Sequence, residues 1–140
     1  MEDQGIPQKL MERTRQEPYA RLLNMEVKKI APGHAVVEMP FTSDMENVFG
    51  MAHGGAIYSL LDEAFQTACN SHGTLAVALN MSVTYISSPR PGALLRAEAR
   101  EVSLTRKTGT YWITVTGEGE NLIATCQALA YRKDRPLPFL

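Results

Sequence analysis

HGGAIYSLLDEAFQTACN, residues 53–70, is the longest helical pattern in this sequence. Its apolar residues recur every three or four positions, the spacing of one helix face: Ile57, Leu60, Leu61, Ala64, Phe65 and Ala68. Because this face covers more than half of the circumference, the sequence predicts a buried helix with a sheet curved around it. The helix should end near Asn70, before Gly73, a residue suited to a left-handed cap.

Two shorter patterns precede this helix. Residues 6–17 form an amphipathic helical pattern, which Pro18 should end. Residues 21–30 and 34–40 flank a Pro-Gly break, and the second run alternates apolar and polar residues, so the pair predicts a β-hairpin. Residues 41–52 have no clear period and predict a loop.

The sequence after the helix has the period of β-strands. Residues 76–85 alternate, and after a proline- and glycine-rich break the run 93–105 changes phase near Glu101, which predicts a β-bulge. Further strands are predicted around residues 111–115 and 122–131. A hairpin, one long helix and then about four strands make an α+β fold.

Composition and charge narrow the class of protein. The chain has 140 residues, 44% of them hydrophobic and 21% charged, which suits one globular domain. Its net charge of −1 gives no bulk attraction to nucleic acid or to an anionic membrane, so neither is an expected partner. Because no apolar run could span a bilayer and the N-terminus lacks a signal-peptide core, we expect a cytoplasmic protein.

Metal and disulfide chemistry have no support in the sequence. Cys69 and Cys126 form neither a disulfide framework nor a CxxC pair, and we expect both to be buried as small apolar residues. The three histidines show no metal-ligand spacing, so no metal site is predicted.

Asp62 is the candidate functional acid of the helix. It lies at the border of the apolar face, beside Tyr58, Phe65 and Cys69. Aspartate is a poor helix-interior residue, and a carboxylate at an apolar border is costly unless something satisfies it. An ordinary solvated charge is the alternative interpretation. Glu63 lies near the middle of the polar arc and is expected to be exposed.

The second candidate feature is His53-Gly54-Gly55 at the helix start. Glycine costs about 1 kcal/mol against alanine inside a helix, but it leaves the first backbone N–H groups accessible at the positive end of the helix dipole. Such a helix end can hold a carbonyl oxygen on which negative charge develops. A plain loop-to-helix transition is the alternative, and we expect His53 to cap or tether this start rather than act as a base.

The two features lie too far apart to act on one carbonyl within a single chain. Asp62 follows Gly54 by eight residues, about 12 Å along a helix. Two copies of the helix, antiparallel across a two-fold axis, would bring Asp62 of one copy beside the glycines of the other. A symmetric dimer would then hold two composite sites.

The run NVFGMAHGGAIYSLLDEAF, Asn47 to Phe65, followed by ACNSHG and then by a strand that ends in Thr84-Tyr85, resembles the hotdog-fold thioesterases of the phenylacetic-acid-degradation (PaaI-like) type. The resemblance covers roughly residues 20–132. It implies a curved antiparallel sheet of five to six strands wrapped around one central helix. We accordingly divide the chain into a helical extension at 1–19, a hotdog domain at 20–133 and a loose tail at 134–140.

The resemblance also implies an activity. It predicts an acyl-CoA thioesterase that hydrolyses a small aromatic or a short- to medium-chain acyl-CoA to the free acid and CoA. Coenzyme A enters only as part of the substrate, and no separate cofactor is expected. Because the family's members are usually dimers of dimers, we expect at least a homodimer, and a homotetramer in full assembly.

Carried over by position, the resemblance assigns catalytic roles. Asp62 would act as nucleophile or as general base on water, and the backbone N–H of Gly54 or Gly55 would polarise the thioester carbonyl. Asn47 would orient the water or the thioester, and His53 would shape the helix start.

An accessory contact of some family members is in doubt here. They carry a serine or threonine near the third strand, where this chain has Ala78. The sequence does not allow Asn80 or Ser82 to be assigned that role instead.

Further residues are candidates for substrate binding. A charged turn and a Pro-rich break supply candidate partners for the CoA phosphates: Arg90, Arg106 and Lys107. Ser87 and Ser88 are candidates for the pantetheine. The acyl pocket would be lined by apolar residues, several of which are also expected in the core: Met45, Val48, Phe49, Met51, Tyr58 and Phe65.

Thioester chemistry needs few catalytic groups, because the carbonyl is electrophilic and the thiolate leaves without much acid help. One carboxylate and one oxyanion site can suffice, and no GxSxG elbow is present. Two alternatives stay open: a hotdog dehydratase and a non-catalytic acyl-CoA-binding hotdog protein.

Overall fold

A computed structural model describes residues 5–140. Two short helices, α1 (Gly5–Thr14) and α2 (Pro18–Leu22), form an N-terminal segment, residues 5–22. The elements that follow are β1 (Glu26–Ala31), β2 (His34–Pro40), a short 3-10 turn (Ser43–Met45), α3 (Gly54–Asn70), β3 (Thr74–Tyr85), β4 (Leu94–Leu104), β5 (Thr108–Thr116), a second 3-10 turn (Glu118–Glu120) and β6 (Leu122–Pro136).

The sequence prediction for residues 21–22 was wrong, because these residues end helix α2 (Pro18–Leu22) and do not start the first strand. Pro18 occupies the first turn of α2, where its missing N–H removes no intrahelical hydrogen bond. The same residue therefore follows the end of α1 and starts a new helix.

The six strands form one antiparallel sheet in the order β1-β2-β4-β5-β6-β3. The connection after β3 crosses the sheet, so that β3 becomes an edge strand beside β6 while β4 lies between β2 and β5. The predicted bulge lies between Glu101 and Ser103, where the β4–β5 register shifts. The observed fold is the curved-sheet, central-helix α+β arrangement expected of a hotdog fold.

The long helix α3 is the core of the molecule. Its predicted apolar face is buried against the inner face of the sheet, and Phe65 packs on Tyr111 with ring centroids 5.6 Å apart. Burying one such aromatic side chain contributes about 2–3 kcal/mol. The helix ends at Asn70, and Gly73 has a left-handed φ of +88°, as predicted.

The C-terminal residues, expected to be loose, begin as part of the sheet. Strand β6 continues to Pro136, and the N–H of Leu137 then donates to the carbonyl of Gly73 at 3.0 Å. The side chain of Leu137 is buried. Apolar burial and a backbone hydrogen bond therefore fix the start of the tail near the end of α3.

Candidate active site

His53 caps α3. Its Nδ1 accepts a hydrogen bond from the backbone N–H of Gly55 at 2.8 Å, so the neutral ring carries its proton on Nε2. The backbone of His53 is extended, with φ −67° and ψ 131°, as expected for an N-cap residue. One of the four N–H groups that a helix leaves unpaired is thereby satisfied, and it belongs to Gly55.

Gly54 holds the backbone N–H that remains open at this helix start. Within residues 5–140 no acceptor is found for it, and its carbonyl accepts a hydrogen bond from the Tyr85 hydroxyl at 3.1 Å. A Cβ at Gly54 would lie 3.3 Å from the Tyr85 ring, so the glycine permits this close approach. Of the two glycines, Gly54 is therefore the available donor toward a carbonyl oxygen.

Asn47 organises the loop before α3. Its side-chain Oδ1 accepts hydrogen bonds from the N–H groups of Phe49 at 2.9 Å and Met51 at 3.1 Å. Its backbone N–H donates to the carbonyl of Met51 at 2.7 Å. Since Oδ1 is occupied by the loop, the half-buried side chain has only its Nδ2 amide to offer a substrate.

Asp62 lies on the exposed side of α3, two turns after the helix start. Partial burial, and then the negative charge of Glu17, raise the pKa of its carboxyl. The Asp62 charge also contributes to raising the pKa of Tyr58, after burial of that phenol. The carboxyl therefore lies at the border between the helix surface and the core, as the sequence predicted.

Glu63 contradicts the sequence prediction: it is only 5% exposed. The N-terminal segment covers this side of α3, where the Tyr19 hydroxyl shares a hydrogen bond of 2.8 Å with Ser59 Oγ and Gln66 Nε2 donates to Glu17 Oε2 at 2.9 Å. The helical pattern of α3 alone cannot show that a second element covers its polar arc.

Strand β3 offers no hydroxyl to Asp62 from the predicted position. Ala78 pairs with Ala130, an inward-facing residue of β6, so position 78 faces α3 but carries only a methyl group. Ser82 pairs with Gln127 on the opposite, outer face of the sheet, where it lines a cleft together with Asn80. Neither residue reaches the Asp62 side of the sheet within one chain.

The predicted acyl-pocket residues divide into two groups. Phe49 is 80% exposed, and Val48, Met51 and Tyr58 are also exposed in the single chain. Phe65 is 1% exposed and belongs to the core, together with the buried Met45. Only the first group could therefore meet a substrate or a second subunit directly.

The predicted phosphate-binding residues lie at opposite ends of β4. Arg90 and Ser88 line a cleft of about 410 Å3 at its start, whereas Arg106 and Lys107 lie in the turn after its end. The strand separates them by roughly 33 Å. Arg106 is engaged by Asp134 at 2.7 Å, which partly neutralises it. Within one chain the structure does not bring these cations together.

Ser87 differs from Ser88 in its surroundings. Its hydroxyl donates to the carbonyl of Leu122 at 2.6 Å and accepts a hydrogen bond from Asn121 Nδ2 at 3.4 Å. The Ser87 hydroxyl is therefore used in joining the connection after β3 to the start of β6.

The two cysteines are buried, as predicted, and unpaired with each other. Burial raises the pKa of the Cys69 thiol to about 12 and that of Cys126 to about 11. Neither thiol is a reactive thiolate at neutral pH. In the part of the chain that the structure describes, no three histidine, cysteine, aspartate or glutamate side chains are placed to hold a metal ion. No helix among residues 5–140 is both long and apolar enough to cross a membrane.

The sequence analysis did not predict two residues that act on the candidate site. Tyr85 contacts the helix start through its hydroxyl, and Glu17 acts on both acidic residues of α3. The alternation of residues 76–85 indicates that Tyr85 shares the inward face with Met81 and Val83, but not that this face ends beside Gly54. No sequence signal places Glu17 against α3.

Comparison with known sequences identifies thioesterases and related proteins that are similar to this chain. The sequence profile of the thioesterase superfamily matches residues 49–124. A protein of Archaeoglobus fulgidus is 40% identical over 117 residues, which cover 84% of this chain and 76% of the relative. The acyl-coenzyme A thioesterase PaaI of Escherichia coli is 32% identical over 113 residues, 81% of each chain.

Solved structures share the fold. The structure of the E. coli PaaI protein, from the phenylacetic acid degradation operon, matches with a TM-score of 0.88 and 27% identity over 94% of this chain and 98% of its own. The protein smu.793 of Streptococcus mutans, solved bound to acetyl CoA, matches with a TM-score of 0.78 and 27% identity over 81% of this chain and 92% of its own.

Proposed function

The chain belongs to the hotdog-fold, PaaI-like thioesterase family, and we propose how it hydrolyses acyl-CoA thioesters. The substrate is a small aromatic or a short- to medium-chain acyl-CoA, and the products are the free acid and CoA. Asp62 supplies the reacting carboxylate, and the N–H of Gly54 receives the thioester carbonyl oxygen. The observation that carries this proposal is the open N–H of Gly54 on the same helix as the exposed Asp62.

The oxyanion site follows from the capping arrangement. His53 occupies the N–H of Gly55, which leaves the N–H of Gly54 pointing out of the helix at the positive end of its dipole. As the carbonyl carbon becomes tetrahedral, negative charge grows on its oxygen, and a fixed donor stabilises this charge more than the neutral ground state.

The reacting groups come from two subunits in this proposal. Asp62 lies about 12 Å from Gly54 along α3, too far for one carbonyl. Strand β3 is a twelve-residue edge that exposes apolar side chains, including Leu79 at 60%, and an edge of this kind favours pairing with another strand. Two β3 edges paired antiparallel give a homodimer in which the α3 helices also run antiparallel. A homotetramer would pair two such dimers.

Two routes for Asp62 satisfy the chemistry. In the first, its carboxylate attacks the carbonyl carbon, the C–S bond breaks, CoA leaves as the thiolate, and water then hydrolyses the mixed anhydride. In the second, the carboxylate takes a proton from water as the water oxygen attacks the carbonyl carbon, and the tetrahedral intermediate then collapses with cleavage of the C–S bond and departure of CoA as the thiolate. In a single turnover in oxygen-18 water, unlabelled acid together with solvent label in Asp62 identifies the first route, with water attacking the Asp62 carbon of the anhydride.

Asn47 supports the substrate from the loop before α3. Its Oδ1 is bound to the loop, so its Nδ2 donates to the thioester oxygen or to the attacking water. The exposed apolar side chains of the same loop, Val48, Phe49 and Met51, contribute to the acyl pocket at the subunit boundary.

The test is thiol release from phenylacetyl-, benzoyl- and hexanoyl-CoA. We expect Asp62→Asn to lower kcat by roughly 10²–10⁴-fold on the preferred ester, because the amide is neither nucleophile nor base. Asp44→Asn is the matched control, since it removes one exposed aspartate charge outside the site and should keep wild-type rates. A fully active Asp62→Asn enzyme would refute the proposed role.

The same assay tests the other two functions. A dehydratase would interconvert hydroxyacyl and enoyl thioesters without releasing thiol. A non-catalytic binding protein would bind acyl-CoA in calorimetry while releasing none. Either result with the wild-type protein would overturn the hydrolase assignment.

A further inference from the structure

The carboxyl groups of Glu17 and Glu63 both lie between the N-terminal segment and α3, each with an oxygen that is buried from solvent. Glu63 is only 5% exposed, and Gln66, one helical turn further along α3, donates to Glu17 Oε2 at 2.9 Å, which places the Glu17 carboxyl on the same side of the helix. Each carboxyl also has one buried oxygen without a hydrogen-bond partner, Oε1 of Glu17 and Oε2 of Glu63. Two carboxylates cannot hydrogen-bond to each other, because neither has a proton to donate.

The charged groups on the neighbouring elements do not neutralise this pair. On α3 the other charge that acts on Glu63 is Asp62, which is also acidic. On the N-terminal segment, Arg13 lines the same cavity as Glu17, but its guanidinium stands 5.5 Å over the Phe139 ring and forms no salt bridge with either carboxyl, and Arg15 and Arg21 line a separate cleft. On β1, Lys28 pairs with Glu26 at 3.2 Å. Two buried like charges without a cation would be strongly unfavourable.

We propose that Glu17 and Glu63 share a single proton, and that the resulting O–H···O bond fastens the N-terminal segment onto α3. The carboxyl of one residue donates to the carboxylate of the other, a charge-assisted hydrogen bond of the stronger kind. Gln66 Nε2 donates a second hydrogen bond to Glu17 Oε2 at 2.9 Å and holds the pair in place.

The attached N-terminal segment forms one wall of a cavity near Asp62. A space of about 620 Å3 lies between the N-terminal segment, α3, the start of β3 and the C-terminal tail. Glu17 and Gln66 lie on its wall, together with apolar side chains such as Leu75 and Phe139. Gln66 follows Asp62 by one helical turn. Release of the segment would therefore open this wall one turn from the candidate catalytic acid.

The shared proton makes the attachment sensitive to pH. Burial, and then the hydrogen bond and charge of Glu17, raise the pKa of Glu63 to about 9. Once the segment is released, Glu63 on α3 and Glu17 on the segment are ordinary exposed glutamates that lose this proton at a much lower pH, so the attached form binds one proton more. The attachment is therefore complete at acidic pH, weakens as pH rises above the ordinary glutamate range, and stops weakening above about pH 9.

Hydrogen exchange on the whole protein tests this inference independently of the proposed reaction. The reporters are amides in and just after α2 whose hydrogen bonds need the attached segment, such as Arg21 N–H to Glu17 O within α2 and Met25 N–H to Ala20 O after it. After correction for intrinsic base catalysis, their protection should fall by up to about tenfold per pH unit between about pH 6 and about pH 9.

Glu63→Gln is the decisive variant, because its amide donates to the Glu17 carboxylate at every pH. Its α2 protection should be nearly flat over this range, whereas Glu12→Gln, which removes an exposed charge from the same segment, should keep the wild-type slope. Equal slopes in wild type and Glu63→Gln would overturn the proposal.

Infrared spectroscopy gives a second readout should Glu63→Gln fail to fold. The wild-type protein should show the carbonyl band of one protonated carboxyl at neutral pH, which disappears above about pH 9. Glu17→Gln should lower the pH at which this band disappears, because the hydrogen bond and the charge of Glu17 no longer raise the pKa of Glu63. A wild-type spectrum without any protonated carboxyl at neutral pH would refute the shared proton.

Discussion

His53 Nδ1 accepts a hydrogen bond from the backbone N–H of Gly55 at 2.8 Å, and this one hydrogen bond decides which of the two glycine N–H groups remains without an acceptor. The histidine therefore stabilises the start of α3 and at the same time restricts the open donor to Gly54. A capped helix start and a single open N–H donor are thus two consequences of the same contact.

His53→Ala should destabilise the protein by about 1 kcal/mol, because the N-cap acceptor is lost. His53→Asn, whose side-chain oxygen can accept the same N–H, should recover most of that loss. Urea unfolding at one protein concentration measures both. If the two variants lose equal stability, the cap contributes less than this contact indicates.

Gly54→Pro should lower kcat by roughly 10²–10³-fold, since proline removes the proposed oxyanion donor. Proline is tolerated in the first turn of a helix, and the extended backbone of His53 suits a residue that precedes proline. Gly54→Ala is the matched control: its Cβ meets the Tyr85 ring at the same 3.3 Å but the N–H stays. Comparable losses in both variants would assign the effect to crowding.

Mixed dimers of Gly54→Pro and Asp62→Ala subunits should recover part of the activity that each variant lacks alone. In such a dimer one of the two composite sites combines the intact Gly54 with the intact Asp62. Random mixing of equal amounts of the two variants makes about half of the dimers mixed, so about a quarter of the wild-type activity is expected. The measurement is thiol release after the two variants have been unfolded and refolded together. No recovery in confirmed mixed dimers would contradict shared sites.

Asn47→Asp should keep the loop and lose activity. A carboxylate oxygen can still accept the N–H groups of Phe49 and Met51, but the Nδ2 donor disappears and a negative charge takes its place. We expect a fall in kcat of at least about tenfold with little change in unfolding midpoint. A large loss of stability in this variant would instead indicate that the loop itself has changed.

The activity should fall as the pH decreases, and the apparent pKa of this fall should lie above the ordinary pKa of an aspartate carboxyl. Partial burial and the charge of Glu17 raise the pKa of Asp62, and only its ionised form can attack or take a proton. An N-acetylcysteamine thioester is the suitable substrate because it lacks the titrating phosphates of CoA. A pH-independent rate down to the ordinary aspartate range would contradict this assignment.

Lys107→Ala should raise KM for a CoA ester by roughly fivefold and leave KM for the corresponding N-acetylcysteamine ester unchanged. The smaller thioester has no nucleotide phosphates for Lys107 to bind. Arg106→Ala should have a weaker effect, because Asp134 already engages that guanidinium. If Arg90→Ala alone raises KM for the CoA ester, the nucleotide binds at the opposite end of β4.

Local patterns were sufficient for the elements that carry the fold. The three- and four-residue spacing of Ile57 to Ala68 predicted α3, and the phase change near Glu101 predicted the observed bulge. Both signals repeat within a few residues and depend on which side of one element meets the core. Helix α2 was missed since five residues are too few for a period to show.

The sequence by itself determined the buried helix, its glycine-rich start and an acid two turns later, because each depends on residues close together in the chain. Only the tertiary structure decided that α2 buries Glu63 against Glu17, that Tyr85 meets Gly54, and that β4 separates Arg90 from Lys107. These relationships join residues distant in sequence, and their positions follow from how strands pair and helices pack, which no local period specifies.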